Sequence, residues 1–351
     1  MSLAVQKIES GYILPYRKGK GEGGVLTSSL EFVKNSTLHE EFTDGAYEFD
    51  KRNVVQVTEP VIFIGTLISV FGHAITDNLK KVWWLKSQEA MELLKSGIKI
   101  VYITFQGKPL ESYAKELLQL ADVNISSLVE IVSVTRFQSI YIPEDSIKII
   151  GNSERIFFPP FATLIFRIKQ SVEHQGGGDV YEKIYLSRKE LHDKKDFGEE
   201  AIENLFAMHG YKVIYPEKLS IVEQIWIVSH CKEFVATEGS ISHQAIFCSQ
   251  ATKVVILKKA NYINSYQNMI HNLIQANAVY ISVHHSLGRK DAWKGPFYLC
   301  ITRDLGKFFH KEVVDLYFLR ISWYKYCLRY LIMRTRLGQV LKIFHSIKYR
   351  I

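Results

Sequence analysis

Two stretches of this 351-residue chain carry side chains whose types and spacing suit acid–base and phosphate chemistry. In Gly72-His73-Ala74-Ile75-Thr76-Asp77, an imidazole and a carboxylate stand four positions apart. On one helical face such a pair meets, and the carboxylate either acts as a general base or orients the ring beside it. The plainer alternative is an acid at a helix N-terminus next to a hydrogen-bonded histidine. The second stretch runs from Tyr185 to Leu257. Ser187-Arg188 ends one strand-like segment, and Glu238-Gly239-Ser240-Ile241-Ser242-His243-Gln244 follows another and opens a helix. The planar fork of an arginine suits a phosphate. A glycine turn at a helix start lets backbone N–H groups face an anion, with Ser240 and Ser242 as added donors and Glu238 and His243 as contacts to a diphosphate, ribose or sugar. A surface ion pair for Arg188 and an ordinary strand-to-helix turn with a capping serine are the alternatives.

Alternating strand and helix signals supply the elements that must hold these groups. Strands are expected at 61–64, 98–104, 128–132 and 139–142, with helices at 73–95 and 110–120; the first 55 residues read as irregular. His174-Gln175-Gly176-Gly177-Gly178-Asp179 reads as a nearly unconstrained linker. Beyond it come strands at 183–186, 212–215, 233–236, 253–257 and 278–283. Helices are expected at 199–209, 242–248 and 262–277, and Ser220 with Glu223 caps another that ends at His230. This pattern predicts two Rossmann-like α/β domains, 1–174 and 179–315, facing a central cleft. Strand ends in such domains are where anionic ligands bind.

Bulk properties exclude several classes. Lys and Arg outnumber Asp and Glu by 44 to 36, and eight of the basic residues lie between Leu316 and Ile351, a segment without acids. The rest of the chain is neutral, so a broad nucleic-acid surface is not expected. Four scattered cysteines suit neither a disulfide framework nor a zinc site. His284-His285 and the Asp193/Asp196 pair are loose spacings, no Asp-x-Asp occurs, and no metal site is expected. Gly19-Lys20-Gly21-Glu22-Gly23-Gly24 fits a dinucleotide-binding pattern literally. It lacks the preceding strand and following helix that such glycines serve, so a turn is expected. The uncharged, largely apolar run 60–76 falls short of the roughly 20 residues of a spanning helix.

The 316–351 tail spaces Leu316, Leu319, Trp323, Tyr330, Met333, Leu337, Phe344 and Ile347 at helical intervals, with Lys325, Arg329, Arg336 and Arg350 opposite. An amphipathic helix of this kind can lie on an anionic membrane surface, or pack across the domains with its charges solvated.

With these residues in view, the chain resembles glycosyltransferase family 61, which includes many bacterial capsular-polysaccharide enzymes. The resemblance runs from about Gly72 to Leu257. It is carried by the Gly72-His73 motif with Asp77, by Tyr185-Leu186-Ser187-Arg188, by Tyr215-Pro216-Glu217-Lys218-Leu219-Ser220 with Glu223-Gln224, and by Glu238-Gly239-Ser240 through His243 to Phe247. It implies a GT-B fold, with an acceptor domain first and a nucleotide-sugar donor domain second, and inverting transfer that requires no metal or other cofactor. Asp77 is then the first choice of base and His73 the second. Ser187, Arg188, Glu217, Glu223, Gln224, Glu238, Gly239, Ser240 and His243 would bind the donor. The acceptor would be a surface glycan or lipid-linked glycan (capsule, exopolysaccharide or O-antigen), and the enzyme would be cytoplasmic, held at the inner membrane face by its tail. A polyol- or sugar-phosphate transferase and a non-catalytic assembly scaffold are the rival readings. Three departures from the family pattern stand out: Glu238 where a histidine is usual, Gln244 where an asparagine is usual, and Lys195 with Gly198-Glu199 where an arginine and Asn-Glu commonly follow the Ser-Arg pair.

Overall fold

The computed structural model describes residues 3–17, 21–38, 45–151, 154–191, 196–287, 295–312 and 314–334. Gly19, Lys20, Asp193, Lys195, Arg336, Leu337, Phe344, Ile347 and Arg350 lie outside them. The chain divides into two compact units. One comprises Met1–Gly178, Ile221–Trp226 and Asn268–Leu273; the other comprises Asp179–Ser220, Ile227–Gln267 and Ile274–Ile351.

In the first unit the apolar run after Pro60 forms the strand Val61–Leu67, all of it buried. An unbroken apolar strand of this kind belongs inside a sheet covered on both faces. Lys99–Thr104 and Ser139–Pro143 flank it in parallel, Leu128–Glu130 extends one side, and Val5–Glu9 closes the other edge antiparallel. The strand order therefore reverses beside Val61–Leu67, which opens a crevice beyond its carboxyl end.

The first 55 residues are not irregular. Besides the edge strand, Tyr12–Arg17 and Glu22–Leu26 form a hairpin that joins Thr135–Phe137 and Val55–Val57 in a four-stranded sheet. Gly23 and Gly24 lie inside a hairpin arm and open no helix. These strands are short and cut by Gly11 and Pro15, so their two-residue alternation is weak.

Nor is 73–95 one helix. It breaks into Phe71–Ala74, Asp77–Leu79, Val82–Lys86 and Gln88–Lys95, of which only the first and last are α-helical. Two side-chain demands break it. Asn78 exchanges hydrogen bonds with the Ile68 backbone, accepting from its N–H at 2.8 Å and donating to its carbonyl at 3.0 Å, which competes with helical bonding. Consecutive Lys80 and Lys81 are both buried and reach one carboxylate, Asp145, at 2.8 and 2.7 Å. Lys81 Nζ also donates to the Asn35 carbonyl at 2.7 Å and the Pro143 carbonyl at 2.6 Å, and Lys80 Nζ to the Leu38 carbonyl. Burial pulls the Lys81 ammonium down to about 8, with Asp145 opposing the shift.

A 17-residue helix, Pro159–Gln175, stands where no element was expected. Its prolines at the start and its buried Phe161, Leu164, Ile165, Ile168 and Val172 are legible helix signals. The glycine linker after it is more constrained than expected. A Cβ on Gly177 would stand 1.8 Å from the Trp226 indole, while Gly176 and Gly178 have open space.

The second unit holds a five-stranded, wholly parallel sheet in the spatial order Lys212–Ile214, Lys183–Leu186, Glu233–Thr237, Lys253–Lys258, Asn277–Ser282. In chain order this is 2-1-3-4-5, a doubly wound arrangement whose order reverses between its first and third strands. Tyr185, Phe206, Val235, Val255 and Leu257 form the core on one face. Tyr185 stacks on Phe206 with ring centroids 5.1 Å apart.

The end of the described chain is part of this unit. The helix Ile321–Arg334 comes after a three-stranded sheet of Asp196–Phe197, Phe297–Leu299 and His284–His285. Trp323, Tyr326 and Tyr330 pack with Tyr298, Phe197 and Tyr317 in one aromatic cluster. The expected apolar face is therefore corrected: Trp323 and Tyr330 turn inward. The exposed apolar residues of this helix include Ile321, Tyr324, Leu328 and Leu331, three or four apart on one side. Among the described residues no helix is long and apolar enough to cross a membrane.

Candidate functional site

His73 and Asp77 stand just beyond the carboxyl end of Val61–Leu67, at the crevice of the first sheet. The helix between them is interrupted, yet Thr76 Oγ1 donates to the Gly72 carbonyl at 2.9 Å and keeps the turn closed. The pair meets: His73 Nδ1 lies 2.5 Å from Asp77 Oδ2. Exposure separates the two roles, because the imidazole is 34% exposed and the carboxylate 3%. A carboxylate accepting from Nδ1–H leaves the basic lone pair of a neutral imidazole on Nε2. The buried acid thus stands behind the ring and orients it.

The second constellation gathers at the order reversal of the second sheet. Leu186 and Ala236 are paired neighbours, so Ser187-Arg188 and Glu238-Gly239 emerge side by side from the two strands that flank the reversal. The structure gives the expected residues unequal parts. Ser187 is fully buried; its hydroxyl donates to Glu203 Oε2 at 2.8 Å and accepts from the Lys189 N–H at 3.1 Å, which makes it a brace for the loop. Arg188 donates its backbone N–H to Glu199 Oε1 at 2.9 Å, and its guanidinium lies 3.6 Å from Asp196. Glu199 also accepts from the Tyr185 hydroxyl at 3.1 Å. Burial raises the Glu199 carboxyl, with the Arg188 N–H opposing.

Glu238 is buried and accepts from the Asn264 N–H at 2.8 Å. Its carboxyl is raised by burial, and the Asn264 bond and Lys259 oppose the shift. Gly239 takes φ +128, a conformation foreign to residues with a Cβ. Its N–H donates to Ser242 Oγ at 3.2 Å, and that hydroxyl lies 2.8 Å from the Gly239 carbonyl and 2.7 Å from Gln267 Oε1. The expectation that this turn offers its backbone N–H groups to a phosphate through a helix start is therefore corrected. The Gly239 N–H is engaged inside the turn, and the turn leads into a six-residue 3-10 helix, Ser242–Phe247, with every residue buried. Ser240 is half-buried beside it. His243 is buried, its ring 5.5 Å from that of Tyr266.

The remaining expected residues lie elsewhere. Glu217 is exposed on the short helix Pro216–Lys218. Glu223 is exposed and Gln224 buried at the start of Ile221–His230, in the part assigned to the first unit.

Sequence reasoning missed Lys259, Asp196, Glu199 and Glu203. Lys259 follows the strand Lys253–Lys258 at its carboxyl end, and its Nζ lies 3.0 Å from Asp196 Oδ2. The strand-end rule that singled out Arg188 and Gly239 also marks this lysine. Glu199 and Glu203, four apart at a helix start, look like solvated surface acids; Glu203 instead binds Ser187, Lys189 and Tyr215. Asp196 serves cations, and His285 packs against Tyr317 and Trp323. Among the described residues no group of three His, Cys, Asp or Glu side chains is arranged to hold a metal.

Residues 71–255 match the family model described as Glycosyltransferase 61. The match covers more than half of the chain and contains His73 and Asp77 as well as Arg188 and Gly239. The chain belongs to glycosyltransferase family 61. No curated protein matches it. Membership of family 61 makes the chain a transferase, for which a sugar donor and a glycan acceptor are the general partners.

Proposed function

We propose that this family 61 protein is a GT-B glycosyltransferase that moves a sugar from a nucleotide-sugar donor to a growing surface glycan with inversion. The observation that carries the donor half is the emergence of Arg188 and Gly239 from the two strands at the order reversal of a parallel sheet, the place where such sheets bind nucleotides. In this reading residues 1–174 take the glycan or lipid-linked acceptor and 179–315 the donor. The acceptor hydroxyl gives its proton to His73 Nε2 while its oxygen attacks the anomeric carbon. The bond from that carbon to the diphosphate oxygen breaks on the opposite side. Asp77 supports the imidazolium as it forms, and Arg188 faces the negative charge that develops on the departing diphosphate. The family resemblance carries the inversion and the independence from metal, and the lack of any Asp-x-Asp pair agrees with it.

The exposed apolar side of Ile321–Arg334, flanked by Lys325 and Arg329, supports a peripheral position on the inner face of an anionic membrane. Thermal unfolding with UDP, GDP, CDP and CMP tests the donor reading, because a ligand that binds the native state raises the midpoint by mass action. One nucleotide should do so, and its sugar derivatives should then release sugar to an acceptor. No shift with any of the four would favour the scaffold reading. Transfer of a polyol phosphate or sugar phosphate in place of a sugar would favour the other rival.

A further inference from the structure

Three strand ends, not two, converge at the order reversal of the second sheet. Lys259 is mostly buried and holds Asp196 with its Nζ at 3.0 and 3.2 Å from the two carboxylate oxygens. Arg188 Nη1 reaches the same carboxylate at 3.6 Å, looser than a hydrogen bond. Asp196 itself is 2% exposed. Both cations border the open side of Gly239: an atom at the missing Cβ position would lie 3.6 Å from Lys259 Nζ and 3.7 Å from Arg188 Nη1. Neighbouring carboxylates are committed to other donors, Glu238 to the Asn264 N–H, and Glu199 to the Arg188 N–H and the Tyr185 hydroxyl. An arginine fork and a lysine point charge with a glycine between them recognise an oxyanion that must come close to the backbone.

We infer that Lys259 is the second cation of the diphosphate site, and that Asp196 is a resident anion which the diphosphate displaces. The inference rests on the donor reading above. Asp196 keeps the two cations converged while no ligand is bound. A diphosphate carries more charge and more acceptor oxygens than one carboxylate, so it takes over both contacts and releases Asp196. Lys259 then binds the donor directly, and Asp196 is a positioning residue that sets the threshold for entry.

Titration calorimetry on the full chain tests this, with inorganic pyrophosphate and the nucleoside diphosphate selected by thermal shift as probes. Lys259→Met should weaken both probes by about tenfold or more, as expected for loss of one charge-assisted contact, and Lys259→Arg should restore most of the affinity. Asp196→Asn should bind both probes more tightly, by about tenfold, because the competing charge is gone; a purely structural aspartate would give weaker binding instead. Wild-type affinity in Lys259→Met overturns the role of Lys259, and weaker binding by Asp196→Asn overturns displacement. If Lys259→Met does not fold, the Asp196→Asn titration still decides displacement, and Lys259→Gln replaces it in testing the lysine. Binding of neither probe by the wild-type protein would instead remove the donor reading itself.

Discussion

Asp77→Asn separates the orientation of His73 from the fold around it. The substitution is nearly isosteric, so a pocket that leaves the side chain 3% exposed stays filled. The loss is a negative charge 2.5 Å from Nδ1. An asparagine that turns its NH2 toward the ring forces the ring proton onto Nε2 and removes the base. One that turns its carbonyl keeps the tautomer but not the countercharge. For unit charges about 4 Å apart at an effective dielectric near 20, that countercharge is worth about 4 kcal/mol to an imidazolium. His73 is 34% exposed, so water screens part of this and about 3 kcal/mol is a reasonable share. At about 1.36 kcal/mol per tenfold, kcat should fall by about 10²-fold or more, within the range of general-base effects. The assay is the initial rate of nucleoside diphosphate release at saturating acceptor, alongside a nucleoside diphosphate titration expected to change by less than about twofold. A variant that binds nucleotide normally and turns over within about threefold of wild type would refute the dyad.

Gly239→Ala forces a Cβ residue to φ +128, and should cost about 1–3 kcal/mol in thermal unfolding while weakening nucleoside diphosphate binding. An unchanged midpoint and unchanged affinity would show that the turn is not strained. Burial raises the Glu199 carboxyl above its ordinary 4.5. The native chain therefore keeps this proton to higher pH than the unfolded chain does, and stability falls as pH rises from about 4.5 through the native value. Glu199→Gln should flatten part of that decline in a series of unfolding midpoints, and an unaltered slope would contradict it. Replacing Ile321, Tyr324, Leu328 and Leu331 together by Gln should preserve the midpoint and reduce co-sedimentation with anionic vesicles. Tyr326→Ala should instead destabilise the unit by about 3–5 kcal/mol; full sedimentation of the fourfold variant would remove the membrane role.

What the sequence discloses is set by how local each signal is. The parallel sheet of the second unit is legible because its strands are continuous apolar runs, and the ends of those runs point to Arg188 and Gly239. The broken helix after Gly72 is not, because its interruption depends on Asn78 binding Ile68 and on two lysines meeting Asp145, partners distant in the chain. The strands of the first 55 residues escape for a related reason: each is too short to show a period, Val5–Glu9 and Tyr12–Arg17 pair with residues 135–143, and Glu22–Leu26 pairs in turn with Tyr12–Arg17. His73 and Asp77 can be paired from spacing, but the order of their exposure, which decides which one faces solvent, is a tertiary property. The tail shows the same limit. Helical spacing finds an apolar side, while the aromatic cluster around Tyr298 decides which apolar residues it consumes.

The buried lysine pair also determines where this protein can be divided. The family match begins at residue 71, yet Lys81 is held by the Asn35 carbonyl and Lys80 by that of Leu38. A chain trimmed to 71–255 would keep every motif of the family and lose acceptors for two interior ammonium groups, together with the edge strand Val5–Glu9. The stretch that is recognisable by descent is thus shorter than the stretch that must fold, and the N-terminal residues belong to the first compact unit as structural members.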